Sequence, residues 1–200
     1  MKLLSWNVRG INSPNKWRLI KHHIDDTKGD IWLLQETKWS MAETTTKMRV
    51  WKQWNGIFRQ SNGAFGGLGI IWNPMNVKIS LVGEDKYWKH CLVTILGQNE
   101  NFNLFNVYGP STTSDKRALW ALLSSKLNSI TENSCVVARD FNVILSSTEK
   151  SGGIQRTGMS HKDFLDFVEQ NYLLDIVLKN GTFTWTNRRA GFTNIVERLD

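Results

Sequence analysis

Asp140 and Asn142 stand two positions apart at the end of a short apolar run, Ser134-Cys135-Val136-Val137-Ala138-Arg139. If the backbone stays extended, their oxygen-bearing side chains point to the same side. Such oxygens suit a hard divalent cation, and they suit a nucleophile that must lose a proton. Asp and Asn equally begin turns, so for this stretch alone a plain turn and a reactive site are both open readings. Other apolar runs end in the same manner. Lys2 to Val8 closes on Asn7, Ile31-Trp32-Leu33-Leu34 on Gln35-Glu36-Thr37, Phe102 to Tyr108 on Tyr108-Gly109-Pro110, and the last run on Asp200. In α/β sheets, strand ends on one edge form the ligand site. Glu36 with Asn7, and Asp140 with Asn142, make two carboxylate–amide pairs. That inventory suits one Mg²⁺ held by few protein oxygens, several waters and a substrate phosphate. Asp140 could position or deprotonate a water, and Tyr108 could donate a hydrogen bond to a phosphate oxygen.

The elements that must position these residues alternate in type. Lys2–Val8 is expected as a strand. Asn12 or Ser13 caps a helix with Pro14 in its first turn, Trp17, Ile20 and Ile24 on one face, and Gly29 as its stop. The run at 31–34 is the next strand, and strand, helix, strand points to an α/β arrangement. Residues 38–55 carry no clear period. Thr44-Thr45-Thr46 reads as an exposed stretch before a basic, Trp-rich segment (Lys47, Arg49, Trp51, Lys52, Trp54), which is either a nucleic-acid contact or a loop with buried indoles. From Gly56 to Leu104 short β-rich runs follow, at 67–72, 77–82 and 91–96, in an antiparallel pattern. Ser114-Asp115 opens a helix with Leu119, Leu122, Leu123, Leu127 and Ile130 on its apolar face. Ser160-x-x-Asp163 resembles a capping box opening a helix through Phe164, Phe167 and Val168. Residues 183–187 and 195–199 are short final runs. No repeat or linker interrupts the chain.

Composition sets the bounds. The 200 residues fit one domain, 1–200, and the 40% hydrophobic content supports a real core. The net charge of +7 favours a polyanionic partner, nucleic acid first. Cys91 and Cys135 sit in or beside apolar runs and read as reduced core residues, which suits an intracellular protein, nuclear or cytoplasmic. Met1–Leu4 is too brief for a secretory signal, and no apolar run approaches the ~18 residues of a membrane span.

Five motifs then occur in order: Ser5-Trp6-Asn7-Val8-Arg9-Gly10, Leu34-Gln35-Glu36-Thr37-Lys38, Asn106-Val107-Tyr108-Gly109-Pro110, Asp140-Phe141-Asn142 and Arg198-Leu199-Asp200. Together they resemble the endonuclease/exonuclease/phosphatase family. The resemblance implies the DNase I-like fold, an α/β two-sheet sandwich with outer helices, here lacking its final strand or strands. More narrowly, Asn12-Ser13-Pro14 after the first motif, Glu149-Lys150-Ser151-Gly152-Gly153 and Phe183-Thr184-Trp185-Thr186-Asn187 are similar to the endonuclease domain of plant LINE-type non-LTR retrotransposons. By that resemblance Glu36 is the main ligand of Mg²⁺ (or Mn²⁺), helped by Asn7 and Asp200. Asp140 orients or activates the attacking water, Asn142 binds the scissile phosphate and Tyr108 supports it. Thr184, Arg9 and Asn187 fall on the DNA-binding side. DNA is the implied partner, and a reverse transcriptase domain is implied in the parent element.

Two departures temper the resemblance. Arg139 stands where the family has Gly before its Asp. The Ser-Asp-His motif that closes the family's domain is absent, and His22, His23, His90 and His161 do not match it. His22 and His23 fall on the first helix, His90 before a strand and His161 at a helix start, all as surface or packing residues. The resulting expectation is an incomplete endonuclease domain that still binds metal through Glu36 and DNA through its charge, with nicking impaired. The alternatives are an inactive retrotransposon remnant that at most binds nucleic acid, and a phosphatase or phosphodiesterase of the same superfamily.

Overall fold

Strand β2, Ile31–Gln35, is buried at every position, and its alternation divides its side chains between two cores. Ile31 and Leu33 enter one apolar cluster, Trp32 and Leu34 the other. That is how a strand covered on both faces must behave. The computed structural model describes residues 1–61, 66–98, 100–131, 134–154, 158–176 and 178–199; the side chains of Val50 and Arg139 are not described. These residues fall into two compact units. The first holds 1–108 and 133–139, the second 109–132 and 140–200.

The first unit is a sandwich of two four-stranded sheets. One sheet has the order β1 (Leu3–Asn7), β2, β4 (Leu68–Trp72), β3 (Asn55–Arg59). In it β1 and β2 run parallel and the remaining neighbours antiparallel. The parallel step is bridged by helix α1, Pro14–Thr27, capped by the Ser13 hydroxyl. Helix α2, Met41–Val50, follows β2. The other sheet has the order β5 (Val77–Asp85), β6 (Trp88–Ile95), β7 (Glu100–Tyr108), β8 (Ser134–Asp140). Between the sheets lie Ile31, Leu33, Ile70, Cys91, Val93 and Leu104, with Val136 and Ala138 of β8 packed against them. Trp17, Ile20, Ile24, Trp32, Trp39, Trp51 and Trp54 form the helix-side core. Each such large side chain contributes roughly 1.5–3 kcal/mol by leaving water.

The seam between the sheets changes character at one end. Ser5 and Gln35 share the inward parity of Leu3 and Leu33, and Asn106 that of Phe102 and Leu104. Asn106 pairs in register with Lys89, whose buried ammonium bonds Glu84, and Arg59 reaches the same carboxylate at 3.8 Å. The apolar core therefore ends in a buried polar cap at the end of β2 and β7.

The second unit packs α3 (Thr113–Asn128) on α4 (Met159–Gln170). Trp120 meets Phe141, Phe164 and Phe167 at ring separations of 5.0–5.2 Å. A small sheet, β10 (Trp185–Thr186), β11 (Val196–Glu197) and β9 (Lys150–Ser151), completes it. A buried Lys150–Glu197 ion pair of 2.7 Å braces that sheet. Arg198 bonds both Glu149 and Asp175 beside it.

Several expectations need correction. The stretch at 38–55 is not aperiodic: it holds α2. Of the two readings left open for the Trp-rich segment, buried indoles hold: Trp51 and Trp54 are core residues. Residues 55–59, unread as a separate run, form β3. Helix α1 ends at Lys28, which takes the left-handed conformation expected of Gly29; Gly29 lies one residue on, where any Cβ would press on Leu4 and Trp32. Helix α3 starts at Thr113, capped by Thr112, one residue before the expected Ser114; its buried face includes Trp120, whereas Leu122 is exposed. The supposed capping box at Ser160 is absent. Helix α4 starts from Gly158 without a side-chain cap, and Asp163 pairs with Arg117 instead. His90 lies within β6, stacked on Phe105 and 2.7 Å from the Asn103 carboxamide oxygen. Both cysteines are free, Cys91 buried and Cys135 partly so. No helix of the described residues is long and apolar enough to cross a membrane.

Candidate active site

Strands β1 and β2 end side by side, Asn7 opposite Gln35. Beyond them the chain stays paired. Val8 N–H donates to the Gln35 carbonyl, Gly10 N–H to Glu36 and Ile11 N–H to Thr37. On the other flank Thr37 and Lys38 donate to the carbonyls of Gly67 and Gly66. Glu36 is thus held in a left-handed conformation, φ 51°, which is uncommon for a non-glycine residue. The twist takes Glu36 out of strand alternation and turns it to the Asn7 side chain. The Asn7 amide donates to Glu36 Oε1 at 2.8 Å, and Asn7 Oδ1 accepts from the Arg9 backbone N–H at 3.0 Å. Lys38 Nζ stands 3.8 Å from Glu36 Oε2, and the Glu36 side chain keeps 19% of its surface open.

One carboxylate at an accessible strand end suits a hard cation; the Asn7 side chain meets it through its amide nitrogen, with Asn7 Oδ1 turned to the Arg9 N–H. Among the described residues no three His, Cys, Asp or Glu side chains gather as a metal cage. A cation such as Mg²⁺ takes few protein oxygens and completes its shell with water and phosphate.

The second unit brings the other pair together. Asp140 ends β8, and its Oδ1 accepts from the Asn142 backbone N–H at 3.1 Å. This is an Asx-type turn, so the plain turn geometry and the candidate role coincide in one residue. Asn142 is left-handed, φ 52°, and its amide donates to the Gly109 carbonyl at 2.7 Å. Gly109 N–H donates to the Asp140 carbonyl at 2.6 Å. Its Cα approaches the Phe141 carbonyl so closely that any Cβ would clash. Lys116, buried on α3, donates to the Asn142 carbonyl at 2.6 Å. Between the two polar residues Phe141 is driven into the aromatic cluster, which anchors the turn.

The remaining candidates are placed as follows. Tyr108 ends β7 in the first unit, half-buried, its N–H donating to the Tyr87 carbonyl. Arg9 is exposed in a left-handed turn after Asn7. Thr184 Oγ1 accepts from Leu199 N–H at 3.0 Å, and Asn187 bonds Arg189, Ile195 and Thr193 within its own loop. Asp200 and the Arg139 side chain lie outside the described residues. The sequence reading missed Gln35, Asn106 and Lys116. Their signal was a polar residue at the inward parity of an apolar strand, or on the apolar side of a helix.

The sequence model of the Endonuclease/Exonuclease/phosphatase family matches residues 4–200. This chain belongs to that family. Among solved structures, the family member is similar to the endonuclease domain of TRAS1, a telomere-specific non-LTR retrotransposon. The TM-score is 0.72 at 9% identity, over 98% of this chain and 81% of that one. It is also similar to the 3'-5' exonuclease NExo from Neisseria meningitidis, at TM-score 0.68 and 17% identity over 99% and 87% of the two chains. The Xenopus laevis APE2 catalytic domain gives 0.65 and 18% over 84% and 67%. At these identities the likeness establishes the fold, which is the DNase I-like α/β sandwich of the family.

Proposed function

We propose that this family member is a divalent-metal-dependent phosphodiester hydrolase that nicks DNA, of the kind carried by plant LINE-type retrotransposons. In such an element residues 1–200 would belong to the endonuclease domain, with a reverse transcriptase domain elsewhere in the element. The observation that carries the proposal is the Glu36 carboxylate, turned by a left-handed backbone onto the Asn7 amide at a strand end. The fold likeness to a retrotransposon endonuclease supports DNA as substrate, and so does the net charge of +7.

Glu36 would hold Mg²⁺ or Mn²⁺, and Asn7 would join it through Oδ1 once its carboxamide turns from the Arg9 N–H. When bound, such a cation offsets charge on the phosphate and the leaving oxygen. Asn7 keeps the Glu36 carboxylate in one rotamer. Asp140 is assigned the attacking water, which its carboxylate would orient or deprotonate. Asn142 and Tyr108 are assigned hydrogen bonds to phosphate oxygens. Asp200 would assist Glu36, and Arg9, Thr184 and Asn187 would meet DNA.

Supercoiled-plasmid nicking tests the proposal, with Mg²⁺ against chelator, for the native chain, Glu36→Ala and Asp140→Ala. Metal-dependent nicking that each substitution lowers by about 10²-fold or more is expected. Nicking indifferent to both substitutions would overturn it. Turnover of small phosphate monoesters without nicking would favour the phosphatase reading. Salt-sensitive DNA binding with no hydrolysis would favour an inactive nucleic-acid binder.

A further inference from the structure

Gln35 and Asn106 are fully buried, and their carboxamides bond each other across the two sheets of the first unit. The Gln35 amide donates to Asn106 Oδ1 at 2.7 Å and to Ser5 Oγ at 3.0 Å. The Asn106 amide donates to the Gly69 carbonyl at 3.0 Å and the Leu34 carbonyl at 3.4 Å. Four strands, β1, β2, β4 and β7, are thereby tied at one point. The tie is not the cheapest filling for that space. Gln35 Oε1 is buried with no hydrogen-bond partner among the described residues, whereas two apolar side chains of like shape would bring no such oxygen into the core. What the polar pair supplies that an apolar pair does not is direction: a hydrogen bond fixes the offset of β2 against β7, whereas apolar contact tolerates sliding. Glu36 follows Gln35 directly, and Tyr108 stands two residues beyond Asn106, at the same strand ends.

We propose that Gln35 and Asn106 are positioning residues, a cross-sheet clamp that sets Glu36 against Asn7 and fixes the strand end carrying Tyr108. The inference rests on the reading of Glu36 as the cation ligand, but its geometry can be tested without metal. The Asn7 side-chain amide donates to Glu36 Oε1, and its exchange with water, followed by NMR, would report that bond.

The test compares the native chain with the double variant Gln35→Met/Asn106→Leu, which removes the clamp and leaves no orphan. The double variant is expected to fold with an unchanged or raised Tm, while the Asn7 amide exchanges at least about 10-fold faster. Mn²⁺ affinity by calorimetry should fall about 10- to 100-fold, the range typical of groups that orient a ligand. Nicking should lose kcat with KM for DNA unchanged. The exchanged pair Gln35→Asn/Asn106→Gln should recover part of each loss. If the double variant fails to fold, Gln35→Met alone is read by the same signals. A folded variant with native Asn7 exchange overturns the clamp, whatever its activity. Native Mn²⁺ affinity and kcat in a folded variant overturn it equally. If the native chain neither binds Mn²⁺ nor nicks, the metal reading of Glu36 fails, and Asn7 exchange alone decides whether the clamp exists.

Discussion

Asn142 holds its left-handed backbone and a side-chain bond to Gly109 at once, so two substitutions separate its tasks. Asn142→Gly keeps the backbone free to adopt φ 52° and removes the carboxamide with its bond to Gly109; Tm should fall only by that lost bond, about 1 kcal/mol, while nicking falls. Asn142→Ala removes the same group and adds strain of roughly 1–2 kcal/mol, so its Tm should drop further. Equal Tm values for the two would refute the strain argument. Asn7→Ala leaves Glu36 without its partner, and metal affinity should fall about 10- to 100-fold in a folded protein. These residues were readable in the sequence as types: oxygens at the ends of apolar runs. Their conformations were not. Nothing in Gln35-Glu36-Thr37 announces that Glu36 is left-handed, because the constraint comes from Gly10, Gly66 and Gly67, distant in sequence. The orphan oxygen of Gln35 was equally invisible, since it exists only once β7 lies opposite.

Helix α2 shows what element-level reading lacks. Its sequence holds three consecutive threonines, which disfavour helix when their hydroxyls compete for the backbone. Here the hydroxyls of Thr44, Thr45 and Thr46 donate to the carbonyls of Ser40, Met41 and Ala42, four residues back. The helix is secured at its start by a capping box in which Ser40 and Glu43 bond reciprocally. The backbone bond from Ser40 is the chief reason the Glu43 carboxyl is held below its ordinary value, with the Ser40 hydroxyl second. A depressed carboxyl contributes stability that is present above its unfolded value of 4.5 and is lost as pH falls through the lower folded value. Ser40→Ala should cost about 1 kcal/mol in a urea melt at neutral pH. Glu43→Gln should flatten the decline in stability on acidification below about pH 5. An unaltered acid limb in Glu43→Gln would show that the capping box carries no such linkage.

At the scale of the molecule, the sandwich was legible because its inner strands are apolar runs and its parity is consistent: Ile31 and Leu33, Phe102 and Leu104, Val136 and Ala138 all meet in one seam. The order of strands was not, since the place of β3 beside β4 depends on pairing partners and not on the composition of Asn55–Arg59. The proposed DNA binding rests in part on the net charge of +7, so the logarithm of the affinity by fluorescence anisotropy should fall linearly in log salt; a flat response would remove the electrostatic argument for DNA. The two thiols make a prediction at alkaline pH. Burial pushes the Cys91 thiol up to about 12 and the Cys135 thiol up to about 11, from an ordinary value of 9.0. In the unfolded chain both ionise near the ordinary value, while in the folded chain they keep their protons. Between the two values the folded state binds more protons, so stability falls as pH rises. The stabilising contribution is complete below about pH 9 and is lost through about pH 11 to 12. Each thiol steepens the decline by at most about 1.4 kcal/mol per pH unit. Cys91→Ala leaves a small cavity and lowers stability at every pH, so the slope is the quantity to read. Denaturant melts from neutral pH to about pH 10.5 should show a shallower alkaline decline for Cys91→Ala than for the native chain. Parallel curves offset by a constant would mean that the Cys91 thiol ionises as readily in the folded protein as in the unfolded one.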